Sequence, residues 1–379
     1  MIIRTDICGG NLIVDRQDGQ TLYVQQDTST TSEWWFHWRF RMEELNAGEK
    51  WHVIFTNGDV ISPRGPAMCT NLEDWHFQHE YEKPGCEFTF EVPDGVAWAE
   101  FAFSLPYDPE DFEKFIKQYE DRPYVHRDVL CTTLQGREVP MLRIGHENAH
   151  GRMILTARHH ACETTGNYLI EGILQYMLDR DFTLTYPLLQ RYQICLVPFM
   201  DYDGVVTGAQ GKFSLPHDHF VDYTEEPIYP SVAAVQALAR GWHDLLAVDS
   251  HSPARWNRQN DHSFIARPNT HLKTALEVGR FLWELCLKAD PKDTLIYEMI
   301  YDKRVDTDWR GNFYSDEKVG LIKQKSAPDF TEYFCNQNAH SVLFETPYFG
   351  TAENPTTQQS MRNLGKLVGR ALELYVQCL

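Results

Sequence analysis

The chain has 379 residues, 42% hydrophobic and 23% charged, ordinary values for a soluble globular protein with room for a large core. Lys and Arg number 35 against 54 Asp and Glu, and the formal charge of −19 repels phosphate backbones and argues against a nucleic-acid partner. No apolar stretch reaches the roughly 20 residues that cross a bilayer, Met1-Ile2-Ile3-Arg4-Thr5-Asp6 has no basic-then-apolar leader pattern, and the nine cysteines include no C-x-x-C pair, so the expectation is no membrane, reduced thiols and a cytoplasmic setting.

From the N-terminus to about Pro106 the pattern predicts strands. Residues 21–26 alternate, 34–41 are rich in aromatics, and 51–55, 86–92 and 97–103 follow, with turn signals at Asn57-Gly58-Asp59 and Pro93-Asp94-Gly95. Short alternating strands of this kind predict a small β-sandwich over residues 1–106. The tryptophans could form a stacking platform for a ligand, but aromatic residues at strand spacing are more often core. At Pro106-Tyr107-Asp108-Pro109 the pattern changes, which places a domain boundary there and a second domain over 107–379. Pro109 to Asp121 reads as a helix opened by Asp108 and Pro109, with Phe112, Phe115, Ile116 and Tyr119 on one side. Beyond it, strand-like runs at 139–144, 153–157, 193–197, 245–249 and 341–344 alternate with helical patterns at 164–180, 229–242, 269–289 and 357–376. This alternation predicts an α/β sheet covered on both faces.

The chemistry gathers where these strands end, the place where open α/β sheets present binding residues. After the apolar run Met153–Ala157 comes Arg158-His159-His160-Ala161-Cys162-Glu163-Thr164, and then a helix. His160 and Glu163 form an H-x-x-E pair that can point at one ion, and a catalytic zinc takes three protein ligands, such as two His and one Glu, plus a water. The same pair also reads as a polar loop with a helix-start glutamate, and His159 is a competing imidazole. A second apolar strand ends in Asp249-Ser250-His251, where Asp249 could either accept a proton from a ligand imidazole or bond nearby backbone. A third run, Ser341-Val342-Leu343-Phe344, leads to Glu345, a carboxylate that is costly at a buried strand end unless something satisfies it. Beside a metal-activated water it would serve as general base and then general acid.

In this order and context the chain resembles the carboxypeptidase A-like zinc metallopeptidases, in the branch with an N-terminal β-domain often called cytosolic carboxypeptidases. Ala157 to Thr164 is similar to that family's first zinc motif, with His160 and Glu163 in the ligand places, since only His160 has the two-residue gap before the glutamate. Val248-Asp249-Ser250-His251-Ser252 is similar to the strand carrying the third ligand, and Phe344-Glu345-Thr346-Pro347 to the segment with the catalytic glutamate. Gly136-Arg137-Glu138-Val139-Pro140 and Trp34-Trp35-Phe36 share the family's look. The resemblance implies a mixed-sheet α/β/α zinc carboxypeptidase-type catalytic domain preceded by the small β-sandwich. It implies one Zn2+ held by His160, Glu163 and His251, with Glu345 passing the water's proton to the leaving amine of a peptide or amide-bearing small substrate.

One region departs from the family. Val197 to Val205 resembles the stretch that leads to an arginine and an Asn-Arg pair gripping the free carboxylate of a peptide C-terminus, yet Phe220-Val221 stands where Asn-Arg is expected and no arginine precedes it in the loop. A bidentate guanidinium is the usual means of holding a carboxylate. Either Lys212, or Arg255 and Arg258, supplies the grip; or the substrate lacks a free α-carboxylate and the protein is an amide hydrolase or deacylase of non-standard specificity; or the chain is a catalytically weak metal- and ligand-binding module. Retention of all four metal-centre residues favours a hydrolase, with metallocarboxypeptidase activity as the expectation. His217-Asp218-His219 could bind a second metal, but holding the loop is preferred, and Cys162 is read as a packed neutral thiol.

Overall fold

A computed structural model describes residues 1–82, 84–180, 187–256, 258–267, 272–304 and 328–379. In the first hundred residues β1 (Ile2–Arg4), β4 (Arg39–Glu43), β9 (Trp98–Ala102), β6 (Ala67–Thr70) and β7 (His76–Phe77) form an antiparallel five-stranded sheet in that order. The second sheet runs β2 (Ile13–Asp18), β3 (Thr21–Gln25), β5 (Lys50–Phe55), β8 (Glu87–Glu91), and its β3–β5 pair is parallel. Alternation places the aromatics inside: β8 buries Phe88 and Phe90 and exposes Glu87, Thr89 and Glu91. Rings then meet between the sheets, Phe88 and Phe90 lying 5.2 and 5.1 Å from Phe101 of β9. Trp38 and Trp51 are core, as strand spacing suggested, whereas Trp34 is exposed.

The expected strand over 34–41 begins only at Arg39. Residues 34–38 belong to no strand, because their backbone bonds elsewhere: Trp35 O accepts from the Gln26 amide (2.7 Å) and His37 N donates to Gln210 Oε1 (2.8 Å). Arg39 then ties this region to the first helix. Its Nε donates to Glu100 (2.6 Å), and its two terminal nitrogens grip Asp108 (2.7 and 2.8 Å), the N-cap of the helix Pro109–Lys117.

The rest is built on an eight-stranded mixed sheet, in the order β10 (Val125–Thr132), β11 (Glu138–Ile144), β13 (Tyr192–Val197), β12 (Gly151–Ala157), β14 (Leu245–His251), β17 (His340–Glu345), β15 (Phe264–Arg267), β16 (Lys303–Arg304). The central strands β13, β12, β14 and β17 are parallel to one another, while β10–β11, β11–β13 and β15–β17 are antiparallel. The four central strands read as continuous apolar runs because both faces are covered. Met153 and Leu155 of β12 join the cluster beneath the helices Thr165–Leu178, Leu272–Cys286 and Gln358–Gln377, while Ile154 joins that beneath Pro230–Ala239 and Phe330–Asn336. Where the helices Thr165–Leu178 and Gln358–Gln377 cross they touch backbone to backbone, and a β-carbon on Gly172 would fall 2.0 Å from Arg362 O. Residues 269–271 of the expected third helix lie outside the described residues. Among the described residues no helix is long and apolar enough to cross a membrane, and all nine thiols are free.

Candidate metal centre

Strand register brings the expected residues together. Thr156 and Ala157 of β12 pair with Asp249 and Ser250 of β14, and His251 pairs with Glu345 of β17. The loop after β12, His251 and Glu345 therefore sit side by side at one sheet edge. Arg158 turns the chain out of β12 at φ +62°, a left-handed conformation that an L side chain adopts only where its surroundings insist. Its buried guanidinium donates to Ala161 O (2.8 Å), Tyr107 O (3.0 Å) and Asn167 Oδ1 (3.2 Å), which closes the loop upon itself. Thr165 ties the following helix to the other strand ends through Thr346 O (2.9 Å) and the Ser252 hydroxyl.

His160 Nδ1 and His251 Nδ1 lie 3.2 Å apart, and Glu163 reaches both, with Oε1 3.0 Å from the first and Oε2 2.7 Å from the second. Ligand atoms held tetrahedrally at zinc's usual bond lengths are separated by roughly 3.3 Å. Each imidazole is backed by a carboxylate: His251 Nε2 is 2.7 Å from Asp249 Oδ2, and His160 Nε2 is 3.3 Å from Asp218 Oδ1. The Asp249 carboxylate holds the outer proton of His251 and leaves its Nδ1 lone pair facing inward, whereas His160 Nε2 meets Asp218 as a charge contact without a hydrogen bond among the described residues. Two imidazoles and one carboxylate, converging and buried, fit a zinc ion. His159 belongs to a second candidate cluster with Asp249 and His251, but both its nitrogens are engaged, Nδ1 with Asp249 Oδ1 (3.0 Å) and Nε2 with Tyr223 OH (2.8 Å).

The electrostatics suit the assignment. Burial would raise the Glu163 carboxyl, but His160, Lys212 and His251 outweigh it and hold the group well below the usual carboxylate range, ionised as a ligand must be. Asp249 is held low in the same way, against burial, by His159 and His251. Glu345 differs. It is 1% exposed, neither of its oxygens has a hydrogen-bond partner among the described residues, and burial, with Glu163 adding to it, pushes its carboxyl up to about 7.

The loop 208–223 closes one side. Gly211, at φ +81°, lets this loop lie against the first: a β-carbon there would fall 2.1 Å from Ala161 N. Lys212 is thereby brought in, with Nζ 2.5 Å from Glu163 Oε1 and 3.0 Å from Ser252 O. Asp218 accepts from Phe213 N (3.0 Å) and Phe220 N (2.9 Å), so His217-Asp218-His219 holds the loop, and no metal cluster forms from these three among the described residues. The ring of Phe220 stands 4.6 Å from that of His251 and 5.7 Å from that of His160, an apolar cover where the resemblance implies an amide. Arg255 is committed elsewhere: it donates to Asp59 O and lies over Trp34 and Trp256, at 5.0 and 4.6 Å. The side chain of Arg258 lies outside the described residues.

Several supports escape sequence reasoning. Gln210, fully buried, bonds both His37 N and His37 O, and Thr31 Oγ1 donates to Lys212 O (2.7 Å), so residues 27–37 of the N-terminal region fasten the Lys212 loop. Asp218 was in view only as part of an H-D-H run, with nothing in its spacing to say that it meets His160. Cys162 is the packed neutral thiol expected, 3.7 Å from Tyr348 OH and pushed up to about 11 by burial.

Comparison with known proteins agrees with this geometry. A family model described as zinc carboxypeptidase matches residues 110–227. Cytosolic carboxypeptidase 6 of Caenorhabditis elegans is 28% identical over 160 residues, covering 40% of this chain and 34% of that protein. The chain spans between about a third and a half of the length of the first curated relatives it matches. Two solved structures cover 100% of this chain and 99% of their own: a metallo-carboxypeptidase from Pseudomonas aeruginosa in complex with (2-guanidinoethylmercapto)succinic acid, with a TM-score of 0.75 and 19% identity, and one from Burkholderia cenocepacia, with 0.70 and 17%. At those identities the likeness shows the fold. Over residues 110–227 the chain is thus similar to the zinc carboxypeptidases, it is similar in sequence to the cytosolic carboxypeptidases, and it has the fold of the metallo-carboxypeptidases, a mixed α/β sheet preceded by an antiparallel β-rich region.

Proposed function

We propose that this protein is a zinc-dependent metallocarboxypeptidase that removes a C-terminal amino acid from a peptide, with one Zn2+ held by His160, Glu163 and His251 and with Glu345 as the catalytic base. The observation that carries this is the convergence of His160 Nδ1, His251 Nδ1 and the Glu163 carboxylate in register with Glu345, whose buried oxygens have no other partner among the described residues. Zinc, when bound, lowers the pKa of water and polarises a carbonyl. Glu345 takes the water's proton and then gives it to the leaving amine, a double task suited to a carboxyl raised to about 7. Lys212 offers the substrate an ammonium beside Glu163, a point charge in place of a fork. Residues 1–106 act as a unit that holds the Lys212 loop in place. The nine free thiols and the relatives' names support a cytoplasmic setting.

The packing of Phe220 on the ligand imidazoles favours a second reading, an amide hydrolase or deacylase whose substrate presents no carboxylate at that position. A panel of peptides with free and amidated C-termini, assayed with zinc present, separates the two. Preference for free carboxylates supports the exopeptidase, equal rates support the amide hydrolase, and no turnover of any amide with zinc bound overturns both.

A further inference from the structure

Behind His251 runs a line of buried polar groups that the hydrolytic chemistry does not use. His251 Nε2 is 2.7 Å from Asp249 Oδ2, Asp249 Oδ1 is 3.0 Å from His159 Nδ1, and His159 Nε2 is 2.8 Å from Tyr223 OH. None of the four side chains belongs to a residue more than 1% exposed. Once His251 presents its Nδ1 lone pair inward, the order of protons along the line is forced. His251 Nε2–H donates to the carboxylate. Asp249, which can only accept, takes a second hydrogen from His159 Nδ1–H. The neutral His159 ring then has its lone pair on Nε2 and accepts a hydrogen bond from the Tyr223 hydroxyl. Each donor meets an acceptor, so the line is satisfied in one sense only.

The line is fastened at its middle and at its far end. Thr156 Oγ1 donates to Asp249 Oδ1 at 2.8 Å, and the Tyr223 ring packs 5.5 Å from Phe330 and 5.4 Å from Tyr333 of the helix Phe330–Asn336. His159 and His160 are adjacent in one loop and divide the work: His160 is one metal ligand, and His159 supports the carboxylate behind the other.

We propose that His159 and Tyr223 are positioning residues of the metal centre, which hold Asp249 in the orientation that backs His251 and so set zinc affinity without touching the metal. This rests on the zinc-hydrolase assignment above. Outer partners of metal-bound histidines typically contribute about 10–100-fold to metal affinity.

The test is zinc affinity, measured against a competing chelator, together with the visible spectrum of the Co2+-substituted protein, for the wild type, His159→Phe, His159→Asn and Tyr223→Phe. His159→Phe is expected to bind zinc about 10–100-fold more weakly and to show an altered cobalt spectrum. His159→Asn, whose amide N–H stands where the imidazole Nδ1–H stood, is expected within a few fold of the wild type. Tyr223→Phe, which keeps the ring packing, should fall between. Wild-type affinity and spectrum in both His159→Phe and Tyr223→Phe would overturn the proposal while leaving the zinc assignment standing. So would His159→Asn weakened as much as His159→Phe, since packing alone would then explain the loss. A wild-type protein that holds no zinc would overturn both.

Discussion

Lys212 Nζ and Glu163 Oε1 stand 2.5 Å apart at the buried centre, and the ammonium also reaches Ser252 O. A cation so close to the proposed ligand Glu163 would weaken its hold on a metal ion, so its presence favours a role towards the substrate rather than the metal. Lys212→Met keeps the stem and removes the charge. The expected outcome is full zinc content with kcat/KM lowered by about 10²–10³-fold, the usual loss of a preorganised electrostatic contact. Metal analysis alongside steady-state kinetics checks it, and unchanged kcat/KM would remove Lys212 from the reaction.

Glu345→Gln should retain one zinc per chain and lose turnover by about 10²–10⁴-fold, because the amide can neither take the water's proton nor return it. Metal retained together with near-normal turnover would remove Glu345 from the role of base.

The same substitution reports on burial in the zinc-free protein. Burial, reinforced by Glu163, raises the folded-state carboxyl to about 7, above its ordinary value near 4.5. Below the ordinary value both states are protonated and the group costs nothing. As pH rises from about 4.5 to about 7 the unfolded chain ionises while the folded one resists, and stability is lost until the folded group ionises too. Glu345→Gln is free of that loss, so the variant should match the wild type near pH 4.5 and exceed it at pH 8 by on the order of 2–3 kcal/mol. Urea unfolding of metal-stripped protein at both pH values decides it; an equal difference at both would show that burial of the charge is not the cause.

Gln210→Ala removes the side chain that satisfies His37 N–H and His37 C=O inside the protein. Asp27 O keeps its bond from Asn11. Two stranded backbone groups should cost about 2–4 kcal/mol, read from the urea midpoint. Activity should fall further than stability explains, because the Lys212 loop is released. Equal loss of both would reduce Gln210 to a structural part.

Thiol reactivity should follow burial. Cys162 is pushed up to about 11 and Cys69 and Cys335 to about 12, each by burial first, whereas Cys378 is exposed. At neutral pH iodoacetamide should label Cys378 and spare these three until the chain unfolds, with activity unchanged by the label. Mass spectrometry of the digest reads the sites; early labelling of Cys162 would mean that it is not packed as described.

The central strands were legible because strands buried on both faces must be apolar at every position, as in Met153–Ala157 and Ser341–Phe344. Strand β10 was not. It lies at the sheet edge with His126 and Arg127 exposed, so no apolar run marks it. The aromatic run at 34–38 misleads for a related reason: a loop that buries Trp35, Phe36 and Trp38 carries the same side chains as a strand, and what distinguishes them is the bond from His37 N to Gln210, 173 positions away. At the candidate site, the types and order of His160, Glu163, His251 and Glu345 are legible, as is Asp249 behind His251, while the supports from Asp218, His159 and Gln210 are not; of the three suggested cations Lys212 is placed at the centre, Arg255 is placed elsewhere, and the side chain of Arg258 lies outside the described residues.

Residue order was enough to establish which groups the protein has available at the ends of its buried strands, since a charged side chain closing an apolar run is rare unless something holds it. Tertiary structure alone decided the pairings: Asp218 with His160, Asp249 with His159 as well as His251, Lys212 with Glu163. The reason is physical. Hydrogen bonds and ion pairs act over about 3 Å, and the spacing of two residues along a chain says nothing about which of them will come that close once strands from distant segments lie in register.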